Sequence, residues 1–320
     1  ALNANTTANS NSAFGYQALA ANTTGPWNTA VGYQALAANT TGDSNSALGL
    51  AALGQNTTGL ENSAFGASAL FYNTTGTGNS SFGGSALVFN STGSSNSAFG
   101  DSALHDNSTG YDNSAFGVQA LYHTTGNGNV AVGVQAGHSQ TTGSYNIYLD
   151  NAGVAGESNT IHIGTNGRHA ATYIAGISGA TSASGSAVYV NSSGQLGTAT
   201  SSRRYKEEIA DMAGQSDVLM KLRPVSFYYK PELDASHTRQ YGLVAEEVAE
   251  VAPELVLNDE SGTPQTVRYH FVNALLLNEV QKQRRQLEAQ EAEIRELRVQ
   301  QAQVQELKEQ LARLEARLEQ

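Results

Sequence analysis

Ser201 and Lys206 are the residues of this sequence whose types and spacing come nearest to covalent chemistry. A serine hydroxyl is a weak nucleophile, and a lysine with a depressed pKa can activate it by accepting its proton. Arg203 and Arg204 lie between them and would depress the lysine pKa, whereas the two glutamates after Lys206 would raise it. A serine and a lysine five residues apart are a chance arrangement in most proteins, so the surrounding sequence must decide whether this pair acts.

Two further groups of polar residues suggest chemistry, but a structural explanation fits both better. Asn-x-Thr/Ser matches the acceptor motif for N-glycosylation, but it recurs every 17 residues, so we expect these side chains to form stacked turn ladders. The asparagines concerned are Asn22, Asn39, Asn56, Asn73, Asn90 and Asn107. His162 and His169 lack a further ligand at helical or hairpin spacing, so we expect surface histidines rather than a metal site.

Other catalytic and metal-binding patterns are missing from the sequence. The seven acidic residues before Ser201 form no repeated carboxylate pair of the kind that glycoside hydrolysis needs. The Gly-Gly-x-Gly-x-Asp repeat of calcium-binding rolls does not occur. The chain has no cysteine, which excludes disulfides and thiolate zinc sites. We therefore predict no cofactor and no metal.

Charge is distributed unevenly along the 320 residues. Residues 1–200 contain one basic residue, Arg168, against seven acidic ones, so this part carries a net charge of −6 and the remainder carries −5. Binding to nucleic acid or to an anionic membrane needs clustered lysine and arginine. The longest apolar run, residues 274–277, is far too short to span a bilayer. We predict no nucleic-acid partner and no membrane insertion.

A glycine recurs every 17 residues through the first half of the chain. The positions are Gly15, Gly32, Gly49, Gly66, Gly83, Gly100 and Gly117, followed one residue early by Gly133. Glycine and asparagine accept positive φ, so short segments between regular corners predict one β-solenoid coil per repeat and disfavour helix. We assign residues 1–145 to this β-solenoid shaft. Because the sequence opens in mid-repeat, we expect it to be the C-terminal piece of a longer protein.

Each repeat offers one large apolar side chain and a few alanines, a core too thin to offset the ordering entropy of a single chain. We therefore predict a homo-oligomeric rod that buries its apolar stripe against copies of itself. The repeats resemble the heads of trimeric autotransporter adhesins, which are β-rolls of shorter period, and the resemblance implies only this class of architecture. For residues 146–200 we predict a β-rich neck with strands at 146–149, 160–164, 171–177 and 187–190.

After residue 200 the composition changes to a globular α+β pattern. Four segments carry a resemblance: 201–209, 222–229, 241–248 and 267–270, which read SSRRYKEEI, LRPVSFYY, YGLVAEEV and VRYH. In this order and ahead of a terminal coiled coil, they closely resemble the intramolecular chaperone domain of endosialidases and other phage tail fibres, which is also classed as peptidase family S74. We assign residues 201–271 to this small α+β chaperone core.

The resemblance implies a trimerising chaperone that releases itself by cutting its own chain. In the family, a serine followed five residues later by a lysine is cut on its N-terminal side. Here this makes Ser201 the nucleophile, Lys206 the base and Thr200–Ser201 the scissile bond of an autocatalytic serine peptidase. Many members have aspartate after the serine, whereas this chain has Ser202. Ser202 is therefore an alternative nucleophile, and a chaperone that stays uncut is an alternative outcome.

From Val272 onward the chain is rich in Glu, Gln, Arg and Leu, and it has no glycine or proline. Apolar residues recur largely at intervals of three, four and seven, which predicts a coiled coil over 272–320. They are Val280, Leu287, Ile294, Leu297, Val304, Leu307, Leu311, Leu314 and Leu318. Three strands rather than two are implied by the family resemblance and not by the heptads. His270 and Glu246 lie in the family segments, and we expect structural roles for both.

Together these features predict a mainly β fibre: a β-solenoid, a small α+β chaperone domain and a C-terminal coiled coil. We expect a homotrimeric extracellular fibre of a virion or cell surface, with a glycan or protein receptor on a target cell. The alternative is the stalk of a fibre-borne glycan-degrading enzyme with an uncut chaperone cap. A third possibility, a membrane-released regulator like the eukaryotic proteins that share the domain, fits poorly with the repeat shaft.

Overall fold

In the computed structural model, residues 1–259 and 261–318 are described, and the chain divides into two compact units at residue 178. The predicted fold class is confirmed. A parallel β-solenoid comes first, and small antiparallel sheets and a long C-terminal helix follow it. The sequence pattern therefore identifies both architectures, and the structure adds which side chains each one buries.

The first unit is built on a ten-stranded parallel sheet whose strands follow one another in chain order. Each strand pairs in register with the strand one coil away, so that Ala30 lies opposite Ala47 and Val31 opposite Leu48. The strands are Ser12–Phe14 (β1), Thr29–Val31 (β2), Ser46–Leu48 (β3), Ser63–Phe65 (β4), Ser80–Phe82 (β5), Ser97–Phe99 (β6), Ser114–Phe116 (β7), Val130–Val132 (β8), Ile147–Leu149 (β9) and Ile161–Ile163 (β10). At about 4.8 Å between strands, the ladder extends about 43 Å.

Alternation along each strand decides which apolar residue enters the core. Ala30 is buried, whereas the next residue, Val31, lies on the opposite face of the strand. Beyond the repeat glycine, Gln34 and Leu36 adopt left-handed φ of 55° and 50°. As a result, the N–H of Gln34 bonds to the preceding coil and that of Leu36 to the following coil. Leu36 is fully buried, so the leucine, and not the residue before glycine, is the large side chain of the core.

Two ladders of buried asparagines complete the core. In the first ladder, the side-chain amide of Asn39 donates to Oδ1 of Asn22 at 2.8 Å and to the carbonyl of the glycine three residues on. In the second, Oδ1 of Asn28 accepts both the backbone N–H and the side-chain amide of Asn45. The predicted turn ladders are thus confirmed, and the Asn-x-Thr/Ser asparagines are buried hydrogen-bonding groups rather than accessible glycosylation sites.

The recurring glycine is required by close backbone approach. Gly66 has a φ of +145°, and a Cβ at this position would lie 2.3 Å from the carbonyl oxygen of Gly83 in the next coil. The same contact repeats from Gly15 to Gly117, because each of these glycines lies against its counterpart in the next coil. Any side chain here would separate neighbouring coils, which accounts for the strict period of this residue.

The solenoid sheet extends past residue 145, because β9 and β10 continue the ladder into the segment assigned to the neck. Tyr148 replaces the strand alanine and is fully buried. Its ring occupies the space beside Gly137 and Gly153, where a Cβ would lie 2.8 and 2.5 Å from ring carbons. The predicted strand at 171–177 is wrong: these residues are turns and irregular chain, exposed to solvent, with no paired strand.

The second unit consists of three antiparallel hairpins, short 3₁₀ helices and two α-helices. The hairpins pair Val188–Val190 (β11) with Leu196–Thr198 (β12), Val225–Phe227 (β13) with Gln240–Gly242 (β14), and Val256–Asn258 (β15) with Pro264–Val267 (β16). The 3₁₀ helices are Arg203–Tyr205, Ala213–Lys221 and Pro253–Leu255, and the α-helices are Ala245–Val251 (α1) and Tyr269–Leu318 (α2).

The core of the second unit is small. Its buried apolar side chains come from α1 and the residue after it, the 3₁₀ helix at 253–255, the third hairpin and the first turns of α2, and they are Val248, Ala252, Leu255, Val256, Val267 and Leu275. Partly buried side chains from the 3₁₀ helix at 213–221 pack against them. The base of α2 is therefore held against the globular part, whereas the rest of this helix contributes no buried apolar side chain among residues 276–314.

Candidate functional site

Ser201 and Lys206 flank a single short turn at the start of the globular part. The turn is the 3₁₀ helix Arg203–Tyr205, closed by hydrogen bonds of 3.1 Å from Tyr205 N–H to the carbonyl of Ser202 and from Lys206 N–H to that of Arg203. All of these residues are exposed. Among the described residues, no hydrogen bond joins the side chains of Ser201 and Lys206. The site is therefore an accessible turn rather than an enclosed pocket.

The two arginines beside Lys206 differ in their surroundings. The guanidinium of Arg204 lies over the ring of Tyr205, with 4.7 Å between the central carbon and the ring centroid. A cation held against an aromatic face is partly satisfied there. Arg203 remains exposed at the beginning of the turn. Both cations thus lie on the same turn as the lysine, as the sequence predicts.

The hairpin before Ser201 lies beside the first turn of α2. The ring of Tyr189 in β11 meets the ring of His270 at 4.8 Å between centroids, and an open cleft of about 600 Å³ separates hairpin and helix. The cleft walls are mainly apolar, with Val272 and Leu276 on the helix side. His270 therefore has a packing contact, as expected. Glu246 lies in the first turn of α1, where its negative charge favours the helix terminus.

A polar network fixes the 3₁₀ helix at 213–221 to α2. Ser216 is buried, and its hydroxyl donates to Glu279 at 3.0 Å and accepts from the amide of Asn278 at 2.8 Å. Lys282 is paired with both Asp217 and Glu279, which raises the pKa of Lys282. The hydrogen bonds from Lys282 and Ser216 hold the pKa of Glu279 below its ordinary value. The helix is thereby fixed in orientation relative to the chain that follows Ser201.

Two further contacts tie hairpin β13–β14 to the helices. Arg223 and Glu247 form a bidentate ion pair that joins the segment before β13 to α1, and it lowers the pKa of Glu247. The N–H of Leu243 donates to the hydroxyl of Tyr269 at 3.0 Å. Three of the segments that carry the sequence resemblance, 222–229, 241–248 and 267–270, thus contact one another in space.

A comparison with protein families finds a match in this region. Residues 201–257 match the family described as chaperone of endosialidase, Peptidase S74. Comparisons with curated proteins and with solved structures gave no match. The family match begins at Ser201 itself, ends in β15 and covers the turn, the first part of the polar network and α1. It leaves α2 and the solenoid outside its bounds.

The solenoid joined to this chaperone-family segment carries a continuous apolar stripe on its outer face. The stripe is formed by the residue before each repeat glycine and its equivalents in the last two strands: Phe14, Val31, Leu48, Phe65, Phe82, Phe99, Phe116, Val132, Leu149 and Ile163. Four phenylalanine rings within it are stacked at 4.7–5.0 Å between centroids. Because the ring faces cover one another, the stripe presents their edges outward.

The helix that follows the family segment has a second exposed apolar face. Between residues 280 and 314 its apolar side chains are about half exposed; they are Val280, Leu287, Ile294, Leu297, Val299, Val304, Leu307, Leu311 and Leu314. Leu318, the last apolar residue of the predicted coiled coil, lies outside the residues whose side chains are described. None of the described helices is long and apolar enough to cross a membrane.

The histidines noted in the sequence lie at the end of the solenoid, each beside an acid. Nε2 of His162 is 2.9 Å from Glu157, and Nδ1 of His169 accepts the N–H of Thr165. Within the described residues, no group of three or more histidines and acids has the arrangement of a metal site. Sequence reasoning missed the network around Ser216, because its partners are more than 60 residues away and no local pattern announces them.

Proposed function

We propose that this chain forms the distal part of a homotrimeric extracellular fibre or adhesin, and that its C-terminal unit is an intramolecular chaperone. The chaperone sets the register of three chains and then releases itself by cutting between Thr200 and Ser201. The observation that carries the proposal is the match of residues 201–257 to the chaperone of endosialidase family, directly between a repeat solenoid and a long helix. The exposed apolar surfaces of the solenoid and of the long helix support the proposal.

The outer stripe of the solenoid favours assembly with copies of the same chain. It runs through all ten coils and includes Phe14, which is 77% exposed, and Phe82, which is 36% exposed. Contiguous apolar surface of this length is unusual on a monomer and marks an interaction face. Its period equals the period of the rod, so another copy of the rod offers the matching spacing. Association through this face would supply the burial that a single coil cannot.

The helix α2 favours assembly for a separate reason. Its leucines recur at heptad-like spacing and are exposed, which is the pattern of a helix whose apolar face packs against other helices. Its base is fixed to the globular part by the Ser216 network. Three such helices in register would therefore place three chaperone units, and the strands that precede them, in a defined order.

Self-cleavage follows from simple chemistry at Ser201. Its hydroxyl oxygen attacks the carbonyl carbon of Thr200 as the neutral amine of Lys206 accepts the proton. The bond to the Ser201 nitrogen breaks, that nitrogen takes a proton and becomes a free amine, and water then hydrolyses the ester to a Thr200 carboxylate. The exposed turn leaves this bond accessible to the lysine of its own chain or of a neighbour.

Intact-mass spectrometry of freshly expressed full chain tests the cleavage. We expect one fragment that ends at Thr200 and one that begins at Ser201, and both should be absent in Ser201→Ala and in Lys206→Ala. Ser202→Ala serves as the matched control and should be cut normally. Loss of cleavage only in Ser202→Ala would move the nucleophile by one residue, and a single uncut mass in every variant would leave the chaperone as a permanent cap.

Native mass spectrometry of the same samples tests the assembly. A trimer is the expected species for the uncut Ser201→Ala chain, because the chaperone and the coiled coil are both retained. A monomer at micromolar concentration would contradict the proposal regardless of cleavage.

A further inference from the structure

Three histidines lie together on one side of the solenoid, far from the cleavage site in sequence. The ring of Tyr122 is stacked between His105 and His138, at 4.4 and 5.6 Å between centroids. His123 meets His138 edge to face at 5.0 Å. These rings come from three successive coils, and we refer to residues 102–140, which contain them, as the histidine joint. Elsewhere in the first 178 residues, the histidines are His162 and His169.

A single carboxylate faces these imidazoles. Asp106 accepts hydrogen bonds from Nδ1 of His105 at 2.6 Å and from Nδ1 of His123 at 2.8 Å. Burial opposes ionisation of Asp106, but the bonds from the two imidazoles outweigh it and lower its pKa. Asp106 therefore stays charged through mildly acidic pH. It can neutralise one imidazolium but not two, and His138 has no hydrogen bond to it among the described residues.

His138 is the member of the joint without a neutralising partner. Burial lowers its pKa, and the charge of His123 lowers it further. The titratable side chains that face it from the preceding coil are His123 and Tyr122. The following coil pairs with this segment through residues 151 and 152, an asparagine and an alanine, which carry no charge.

The hydrogen-bonded core of the solenoid is irregular at the histidine joint. The coil that contains Thr124 is one residue shorter than the coils before it, and Thr124 and Gln140 stand where those coils have asparagine. The hydroxyl of Thr124 bonds to Gln140 at 2.6 Å and not back to Asn107. Oδ1 of Asn107 is therefore buried without a hydrogen-bond partner in the described residues. An unsatisfied buried oxygen costs about 1–3 kcal/mol, so it weakens the stacking of neighbouring coils at this step.

We propose that the histidine joint is an acid-labile break point of the rod, at which the stacked coils separate below about pH 6 while the coils before it remain folded. Repeat structures are stabilised by contacts between neighbouring repeats, so one weak interface lets the rod open locally. Acidification acts on this interface because it places a positive charge on His138, which has no carboxylate partner among the described residues. The inference goes beyond the proposed function, since neither the chaperone nor its cleavage is involved.

The direction of the pH effect follows from His138. Its pKa in the folded chain lies below the ordinary value of 6.5, so the unfolded segment binds the proton more tightly. The contribution of His138 to stability is therefore complete well above pH 6.5 and decreases as the pH falls through 6.5 toward the folded value. Asp106 has a dependence of the same direction, because its pKa is also lowered in the folded chain, but its contribution is lost only below about pH 3.8.

Hydrogen exchange with mass spectrometry on the full chain tests the joint at pH 7.0 and pH 5.5, with rates corrected for the intrinsic pH dependence of exchange. We expect the protection of residues 119–137 to fall about tenfold and that of residues 51–68 to change less than about twofold. His138→Gln and His123→Gln each remove one imidazole and should limit the fall to about threefold. His169→Gln, outside the joint, should behave as the wild type.

Two results would overturn the inference. One is equal loss of protection in all coils, or no loss, in the wild-type chain. The other is an unchanged tenfold loss in His138→Gln and His123→Gln. If one of these variants is unfolded at pH 7.0 by circular dichroism, the other decides the outcome, because they alter different rings of the same cluster.

Discussion

The solenoid and the C-terminal unit differ in how they bury their side chains. A regular coil of the solenoid buries two alanines, a leucine and two asparagines, and the neighbouring coils complete these contacts except at Oδ1 of Asn107. The described part of the C-terminal unit buries six apolar side chains around the first turns of α2. It leaves the large apolar side chains of α2 between residues 276 and 314 exposed. One chain is thus enough to specify the interior of the solenoid, whereas the apolar face of the long helix is left exposed in the single chain.

The two regions also use polar groups differently. In the asparagine ladders, a buried side chain such as Asn56 bonds to the coil before and to the coil after, and this pattern is broken at Asn107. Such networks stabilise only when every member is satisfied. The polar contacts of the C-terminal unit are mostly exposed ion pairs, which orient its elements at little gain in stability. Substitutions in the two regions should therefore differ in both size and kind of effect.

The largest effect is expected in assembly, from charge placed in the helix seam. Leu307→Asp with Leu311→Asp should convert the trimer to monomer, because two aspartates per helix cannot be buried in a coiled-coil core. Light scattering after size-exclusion chromatography measures the change. Gln305→Asp with Lys308→Asp, which lie beside the seam, provides the control and should remain trimeric. A trimer in the first variant would show that α2 does not hold the chains together.

The next largest effect is expected at a repeat glycine. Gly66→Ala should destabilise the solenoid by more than about 3 kcal/mol, because its Cβ would lie 2.3 Å from the backbone of the next coil. Gly78→Ala is the control: its φ is +65° and its Cβ would meet no atom closer than 3.9 Å, so about 1–2 kcal/mol is expected. Thermal unfolding followed by circular dichroism compares the two. Equal shifts would contradict the requirement for close backbone approach.

An intermediate effect is expected in the asparagine ladder. Asn62→Ala should cost about 2–3 kcal/mol, because the N–H of Asn79 loses its acceptor, and Oδ1 of Asn45 and the carbonyl of Gly76 each lose one of two hydrogen bonds. The measurement is the denaturant midpoint of the Ser201→Ala chain, in which the chaperone stays attached. Thr58→Ala, an exposed residue of the same coil, should lie within about 0.5 kcal/mol of the parent. Similar midpoints for both would mean that the ladder adds little.

The smallest effect is expected at the exposed ion pair of Arg223 and Glu247. Arg223→Gln should leave the unfolding midpoint nearly unchanged, because solvent screens both charges. Differential scanning calorimetry of Arg223→Gln and of the reversed pair, Arg223→Glu with Glu247→Arg, measures it. A marked loss in the single variant that the reversed pair restores would show that this contact holds the unit together.

The period of the sequence is enough to predict the solenoid, because the same corner residues return at a fixed interval and no helix tolerates them. The inward face could not be predicted. Leu36 and Gln34 adopt left-handed φ, which is rare for such residues, and this turns the leucine into the core and leaves the residue before glycine outside. Local propensity argues against that conformation, and only the stacked coils stabilise it.

At the candidate site, the sequence predicts which residues act but not the contacts that surround them. Ser201 and Lys206 were assigned from a resemblance in short segments, and the structure places them at a turn that composition alone does not suggest. The network of Ser216, Asn278 and Glu279 could not be derived, since it joins segments more than 60 residues apart without a periodic pattern. Contacts across that distance depend on tertiary packing, which one sequence does not reveal.

The in-register ladder of identical coils also fixes how this molecule can change in length. Removing 17 consecutive residues between β2 and β6 joins equivalent points of two coils. Every glycine, leucine and asparagine then has the same kind of neighbour as before. The rod becomes shorter by one strand spacing, about 4.8 Å, without a new interface. Gain and loss of whole repeats is thus a change that the fold accepts, and fibres of different reach can arise from one coil design.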